Sequence, residues 1–151
     1  MGAAHTAMAL NSSTLPQHSS EIPSELLGLR MTKQRREVYG VLLDQPDHPT
    51  AQDVFLRAKE RMPSISLATV YNCLEALTSH GLIRAVNFDR SPSRYCSNLN
   101  EHFHFQDATT EKIHDIFLKD GVALADLLAL PQGTDISEVE LNLKGKILDN
   151  S

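Results

Sequence analysis

The stretch RYCSNLNEHFHFQD, residues 94–107, concentrates side chains able to hold a metal ion. Cys96 is one of two cysteines in the chain, and six residues beyond it come His102 and His104, spaced so that both imidazoles can lie on one face of a strand. A His-x-His pair alone suits two ordinary core or surface histidines equally well. The neighbouring thiol shifts the balance, because thiolate and imidazole are the donors that borderline and soft divalent metals prefer. His48 and Asp115 are further candidate ligands, although spacing alone does not select them from the other histidines and acids. The other cysteine, Cys73, falls on an apolar stripe and reads as core packing. His114 points away from Asp115 if that segment is a strand, and His5, His18 and His80 have no evident partners.

Such a cluster needs elements to hold it, and the chain supplies them in two blocks. Thr32 is placed to cap a helix carrying Val38, Val41 and Leu42, which "DQPDHP" ends. Thr50 and Asp53 resemble a capping box opening a second helix through Val54, Phe55 and Ala58, stopped at Met62-Pro63. In "SISLATVYNCLEALTSHG", Ser66 caps, Val70, Cys73, Leu74 and Leu77 form one apolar stripe, and Gly81 stands where a left-handed cap belongs. "LIRAVNF" and "SRYCS" then read as short strands joined by "DRSP". Three helices followed by a two-stranded ribbon outline a winged helix-turn-helix, whose third helix enters the DNA major groove. A short helix is also expected between Ile22 and Gly28.

Beyond Arg94 the pattern changes. "HFHFQ" and "KIHDIFL" read as strands, "VALADLLAL" as a short amphipathic helix, and "SEVELNLKGKIL" alternates Val139, Leu141 and Leu143. A unit this small is short of core, so a dimer interface is expected to supply the missing burial. The expected fold class is therefore α+β: a disordered tail over 1–20, a winged-helix DNA-binding domain over 21–90, and a small α/β dimerisation and metal-sensing domain over 91–151.

Composition narrows the function. The 151 residues carry a net charge of −5, which argues against nucleic acid until its distribution is read. Residues 1–90 hold nine Lys/Arg and nine Asp/Glu, whereas residues 91–151 hold five and ten. Within the neutral block, "RMTKQRR" gathers Arg30, Lys33, Arg35 and Arg36 with no acid between them, a candidate phosphate-binding patch. No apolar run approaches the roughly 20 residues that span a bilayer, and no secretory leader is apparent. "MGAAHT" fits the bare myristoylation pattern, but nothing else suggests a lipid anchor. With two cysteines there is no disulfide framework, and a reducing cytoplasm is the expected compartment.

The segments "MTKQR", "HPTAQDVF", "SLATVYNCLEALTSHGLI", "RYC" and "HFHF" occur in the order and spacing of the ferric uptake regulator (Fur) family, which are bacterial metal-responsive repressors. The resemblance runs from about Leu26 to Leu148 and implies a winged helix joined to a C-terminal dimerisation domain. It implies a regulatory site made of His48 in "HPT", Cys96 where the family usually has Glu or Asp, His102, His104, and Asp115 in "KIHDIF". The step from Cys96 to His102 resembles the peroxide-sensing (PerR-like) branch, as does Asn72 in "ATVYN", where iron sensors usually carry Arg. Zinc-sensing relatives place Cys at the position of Cys96.

The same resemblance implies one divalent metal per protomer, Fe(II), Mn(II) or Zn(II). The family's structural zinc usually takes a Cys-x-x-Cys just after the His pair, where this chain has Asp107 and Thr110, and "LKGKILDNS" adds no cysteine. No four-cysteine structural zinc is expected, and the dimer domain is expected to be held by packing. Glu101, Phe103 and Val139 stand where the first ligands of a further metal site would be, so that site is expected to be absent. For DNA, the resemblance implies that Tyr71 contacts a base, that Asn72 reaches a base or phosphate, that Arg30 enters an A·T-rich minor groove, and that Arg35 and Arg36 bind phosphate. The expected partners are a second copy of the chain and a palindromic A/T-rich operator, with no membrane.

The function these features imply is a metal-dependent repressor of metal-homeostasis or peroxide-stress genes, with a zinc-sensing repressor as the alternative. Metal would fix the hinge around "FDRSPSR" and favour DNA binding by a coupling of ~1–3 kcal/mol. A metalloenzyme is a competing class, since Cys, His and Asp can hold catalytic zinc. Against it, the chain has no HExxH segment and no phosphate-binding loop. A metal-free DNA-binding domain would require five candidate ligands to coincide by chance.

Overall fold

A computed structural model of the protein describes residues 15–88, 90–99, 102–137 and 139–148. The chain forms two compact units, Met1–Asn100 and Glu101–Ser151. In the first, strands β1 (Glu25–Leu26) and β2 (Leu29–Arg30) precede helices α1 (Lys33–Asp44), α2 (Ala51–Arg61) and α3 (Leu67–Ser79), and strands β3 (Arg84–Val86) and β4 (Arg94–Cys96) follow. The second contains β5 (Phe103–Asp107), β6 (Ile113–Ile116) and β7 (Asn142–Gly145).

Each helix of the first unit begins where its capping chemistry dictates. Thr32 Oγ1 accepts from the Arg35 amide at 3.3 Å, and Ser66 Oγ from the Thr69 amide at 3.1 Å. Thr50 and Asp53 form a reciprocal capping box, with both bonds at 3.1 Å. Helix α3 ends in a Schellman motif: Gly81, at φ 76°, donates to the Thr78 carbonyl, and Leu82 donates to that of Leu77. The three helices bury Val38, Tyr39, Val41 and Leu42 from α1, Val54 and Ala58 from α2, and Val70, Leu74 and Leu77 from α3. The core around Tyr39 is dry enough to push its phenol up to about 12. Strands β3 and β4 pair antiparallel, with Arg84 opposite Cys96, forming the expected wing.

Three expectations are corrected. The residues from Ile22 to Gly28 are not a helix. They lead into a β1–β2 hairpin that turns at Leu27 and Gly28, both left-handed at φ 48° and 80°. Seven residues ending in such a turn cannot offset the cost of helix nucleation. The tail expected over residues 1–20 is ordered in its last part: Leu15 packs on the core, Pro16 is buried, and Ser19–Glu21 form a 3-10 turn. Its first fourteen residues lie outside those described. The helix expected in "VALADLLAL" is only a 3-10 turn, Leu124–Leu127, without a side-chain cap and with Leu127 and Leu128 exposed.

The ordered N-terminal segment is tied down at both ends. Ser19 donates its amide and its hydroxyl to Asp44, at 3.0 and 2.6 Å, and Arg61 pairs with the same carboxylate at 2.8 Å. These bonds lower the Asp44 carboxyl to about 2. The close approach requires Gly40 in α1, because a Cβ there would lie 2.9 Å from the Cβ of Ser19. Farther on, Arg36 donates to the Ile22 carbonyl at 2.6 Å.

In the second unit, β5 is the central strand, antiparallel to β6 and parallel to β7. The two units part after Asn100, ten residues beyond the boundary expected at residue 90, because β4 completes the wing ribbon with β3 and so belongs to the first unit.

Candidate metal centre and nucleic-acid interface

The second unit assembles three of the five expected ligands from local geometry. The β5–β6 register sets His104 directly opposite Asp115. His102 stands one residue before β5, on the same side as His104, and their rings meet edge to face with centroids 4.7 Å apart. Asp115 Oδ1 lies 3.5 Å from His102 Nε2 and 3.5 Å from His104 Nε2. Those separations exceed an ordinary N–H···O bond of about 2.7–3.2 Å. They match the edge, about 3.4 Å, of a tetrahedron whose corners sit ~2.1 Å from a central zinc-like ion. His114, on the opposite face, stacks loosely with Phe105, in agreement with its omission from the ligand set.

The first unit brings together the other two. The ligand atoms of His48 and Cys96 lie within 4.8 Å of each other. His48 adopts a left-handed backbone, φ 58°, just before Pro49 and the Thr50 cap. That segment is stitched to β4: Tyr95 donates its amide to the Pro49 carbonyl at 2.9 Å, Thr50 forms an isolated bridge with Arg94, and Arg94 Nη1 donates to the His48 carbonyl at 3.1 Å. Just past Cys96, Ser97 Oγ donates to the Leu42 carbonyl at 3.3 Å. Cys73 sits instead in the helical core, where burial pushes its thiol up against a smaller opposing effect of Arg35.

Asp107 and Thr110, at the positions of the usual cysteine pair, lie in the β5–β6 turn. Asp107 Oδ1 accepts from the Thr109 amide at 2.9 Å, its carbonyl accepts from Glu111 at 2.7 Å, and Thr110 Oγ1 accepts from Lys112 at 3.2 Å. Hydrogen bonds close this turn through the same two positions.

Helix α3 turns Val70, Cys73, Leu74 and Leu77 inward and leaves Ala68, Tyr71, Asn72, Glu75 and Ser79 facing out. Tyr71 is 53% exposed. It borders a groove of about 300 Å³ that includes Glu75 of the same helix and Tyr95 and Ala85 of the wing. Burial, with a contribution from Tyr71, raises the Tyr95 phenol. Of the basic cluster, Arg30 and Lys33 are exposed. Arg35 donates to the Arg30 carbonyl at 3.0 Å, and Arg36 to that of Ile22, so both guanidinium groups have internal acceptors.

Sequence reasoning missed the roles of Arg94 and Tyr95. Strand alternation was the available signal, since it puts Arg94 and Cys96 on one side of β4 and Tyr95 on the other.

Comparison with known proteins identifies the family. The model of the ferric uptake regulator family matches residues 26–144. The chain is 29% identical over 118 residues to the peroxide operon regulator of Bacillus subtilis, covering 78% of this chain and 81% of that one. It is 32% identical over 77 residues to the peroxide-responsive repressor PerR of Staphylococcus epidermidis, a match that spans about half of each chain, 51%. Among solved structures, a zinc-bound manganese uptake regulator superposes with a TM-score of 0.64 at 30% identity, covering 81% of this chain and 93% of that one. The chain belongs to the ferric uptake regulator family.

Proposed function

We propose that the protein is a metal-dependent, DNA-binding transcriptional repressor controlling peroxide-response or metal-homeostasis genes. The observation that carries this reading is the carboxylate of Asp115 standing 3.5 Å from Nε2 of both His102 and His104, a donor spacing that a bound divalent ion would fit. In this reading His48 and Cys96 of the first unit and His102, His104 and Asp115 of the second serve one divalent ion per protomer, Fe(II), Mn(II) or Zn(II). A divalent ion held by these residues would supply the ligand-dependent coupling that favours the DNA-binding conformation. Two cysteines, one of them in the helical core, leave no material for a four-cysteine structural zinc. No catalytic turnover is part of this reading.

Tyr71 and Asn72 would read bases from α3, Arg30 would reach a minor groove, and Lys33 and the remaining donors of Arg35 would bind phosphate. Arg36 contributes chiefly by holding the N-terminal segment. The second unit would pair with that of another copy, since Phe117 (61% exposed), Leu127 (66%) and Leu143 (45%) are exposed apolar side chains among the described residues. Two readers so paired fit a palindromic operator, here A/T-rich.

A zinc-sensing repressor is the second reading, favoured by the thiol of Cys96 beside His48. Elemental analysis of the purified protein, with operator binding measured for the metal-free protein and after adding Fe(II), Mn(II) or Zn(II) singly, decides between them. Activation by iron or manganese supports a peroxide or metal regulator, activation by zinc alone supports the zinc sensor, and metal-independent binding refutes both. Chelation should release DNA while leaving the dimer intact.

A further inference from the structure

Arg94 lies outside the metal-ligand and DNA-contact sets, yet it makes an unusual contact. Its Nη1 reaches across to the backbone carbonyl of His48, forty-six residues earlier, at 3.1 Å. It does so from a half-buried position that leaves its Nε–H buried without an acceptor among the described residues. A guanidinium in water would satisfy that donor, so the internal placement sacrifices one hydrogen bond to make another. What it contacts is a residue in a left-handed conformation, φ 58°, which is uncommon for non-glycine residues and gains from a contact that holds it there.

Two further links run between the same segments, the Tyr95 amide to the Pro49 carbonyl at 2.9 Å and the Thr50–Arg94 bridge. They fix Pro49 and Thr50, one and two residues past His48. Arg94 acts on the His48 peptide itself, through its carbonyl. Arg94 and Cys96 lie on the same side of β4, so the strand presents the thiol and at the same time anchors the backbone of the imidazole beside it.

We propose that Arg94 is a positioning residue for the metal site: it holds His48 in its left-handed conformation, so that the His48–Cys96 half of the site is preformed in the first unit before metal arrives. This rests on the metal-dependent reading above. Preformation matters because a ligand that must first be ordered contributes less to affinity than one already in place.

The test measures zinc affinity of the full chain by competition with a chromophoric chelator, for the parent, Arg94→Met, Arg94→Lys, His48→Ala and the double variant His48→Ala/Arg94→Met, with thermal midpoints recorded alongside. Arg94→Met keeps the apolar stem and removes every donor, and should weaken zinc binding about tenfold; because it also removes the buried, unsatisfied Nε–H, which offsets the lost bond, the midpoint should stay near that of the parent. Arg94→Lys, which can still donate to the carbonyl, should restore most of the loss. In the His48→Ala background, Arg94→Met should cause no further loss, because there is no imidazole left to position. The backbone amide signal of His48 should move in metal-free Arg94→Met and return toward the parent position in Arg94→Lys. A loss from Arg94→Met that is equal with and without the imidazole would overturn the positioning role alone, as would unchanged affinity in Arg94→Met. Zinc affinity unaffected by His48→Ala would overturn the metal-site reading itself, and the positioning role with it.

Discussion

Arg36 offers a direct separation of stability from DNA binding. Its guanidinium donates to the Ile22 carbonyl at 2.6 Å, and Ile22 is a buried member of the core. A hydrogen bond from a charged donor contributes about 1.5–3 kcal/mol. Arg36→Met keeps the stem and removes the donors, so it should loosen the segment that brings Ile22, Leu26 and Leu29 onto the helices. For a domain of this size, 1 kcal/mol moves the unfolding midpoint by about 4–8 °C. A fall of roughly 6–15 °C is therefore expected, allowing for partial replacement of the bond by water. Operator binding should respond differently. Every phosphate that a cation no longer neutralises lowers the slope of log affinity against log salt by about 0.9. Arg36→Met should leave that slope unchanged, whereas Arg30→Met, which removes an exposed charge, should lower it. The assay is thermal unfolding by circular dichroism, paired with anisotropy titrations on the operator at several salt concentrations. An unchanged midpoint together with a flattened slope for Arg36→Met would show that Arg36 serves phosphate, and the structural assignment would be refuted.

Three further outcomes are expected. Tyr71→Ala should cost ~1–3 kcal/mol on the cognate operator and little on unrelated duplex, since the exposed ring is suited to a base edge rather than to phosphate; equal losses on both by titration would exclude base reading. Cys96→Ser should weaken zinc binding relative to manganese binding by tenfold or more, about 1.4 kcal/mol, in chelator competition, because the thiolate favours the softer ion; equal losses would reduce Cys96 to a packing residue. Asp44 should set an acid limb of stability: with its carboxyl lowered from 3.8 to about 2, its contribution is complete above about pH 4 and is lost as pH falls towards 2. After allowance for solvent screening that contribution is about 1–2 kcal/mol, and denaturant titrations of Asp44→Asn across this range should show a flatter acid limb than the parent.

What the sequence made legible divides along the range of the interactions. The caps at Thr32, Thr50 and Ser66 and the left-handed Gly81 are fixed within three or four residues of chain, and each could be read directly. The pairing of His102 and His104 with Asp115 was legible only through the family resemblance, since spacing alone left Asp115 among several acids; the hairpin register brings together residues eleven to thirteen apart. The ordered N-terminal segment was not legible, because what orders it is a carboxylate twenty-five residues away, and neither Ser19 nor Asp44 advertises the other. The failed helix at residues 122–130 has the opposite cause. Its composition suits a helix, but Leu127, Leu128 and Leu130 stay exposed and Leu124 is only partly covered, and local propensity without tertiary burial does not sustain so short an element. Arg94 combines both difficulties. Its neighbours in sequence do not single it out, and the three-dimensional path from β4 to the residues before α2 turns its guanidinium towards the backbone of a candidate metal ligand. Strand β4 thus presents different neighbours on alternate residues: Tyr95 borders the groove beside Tyr71 of α3, while Arg94 and Cys96 face His48.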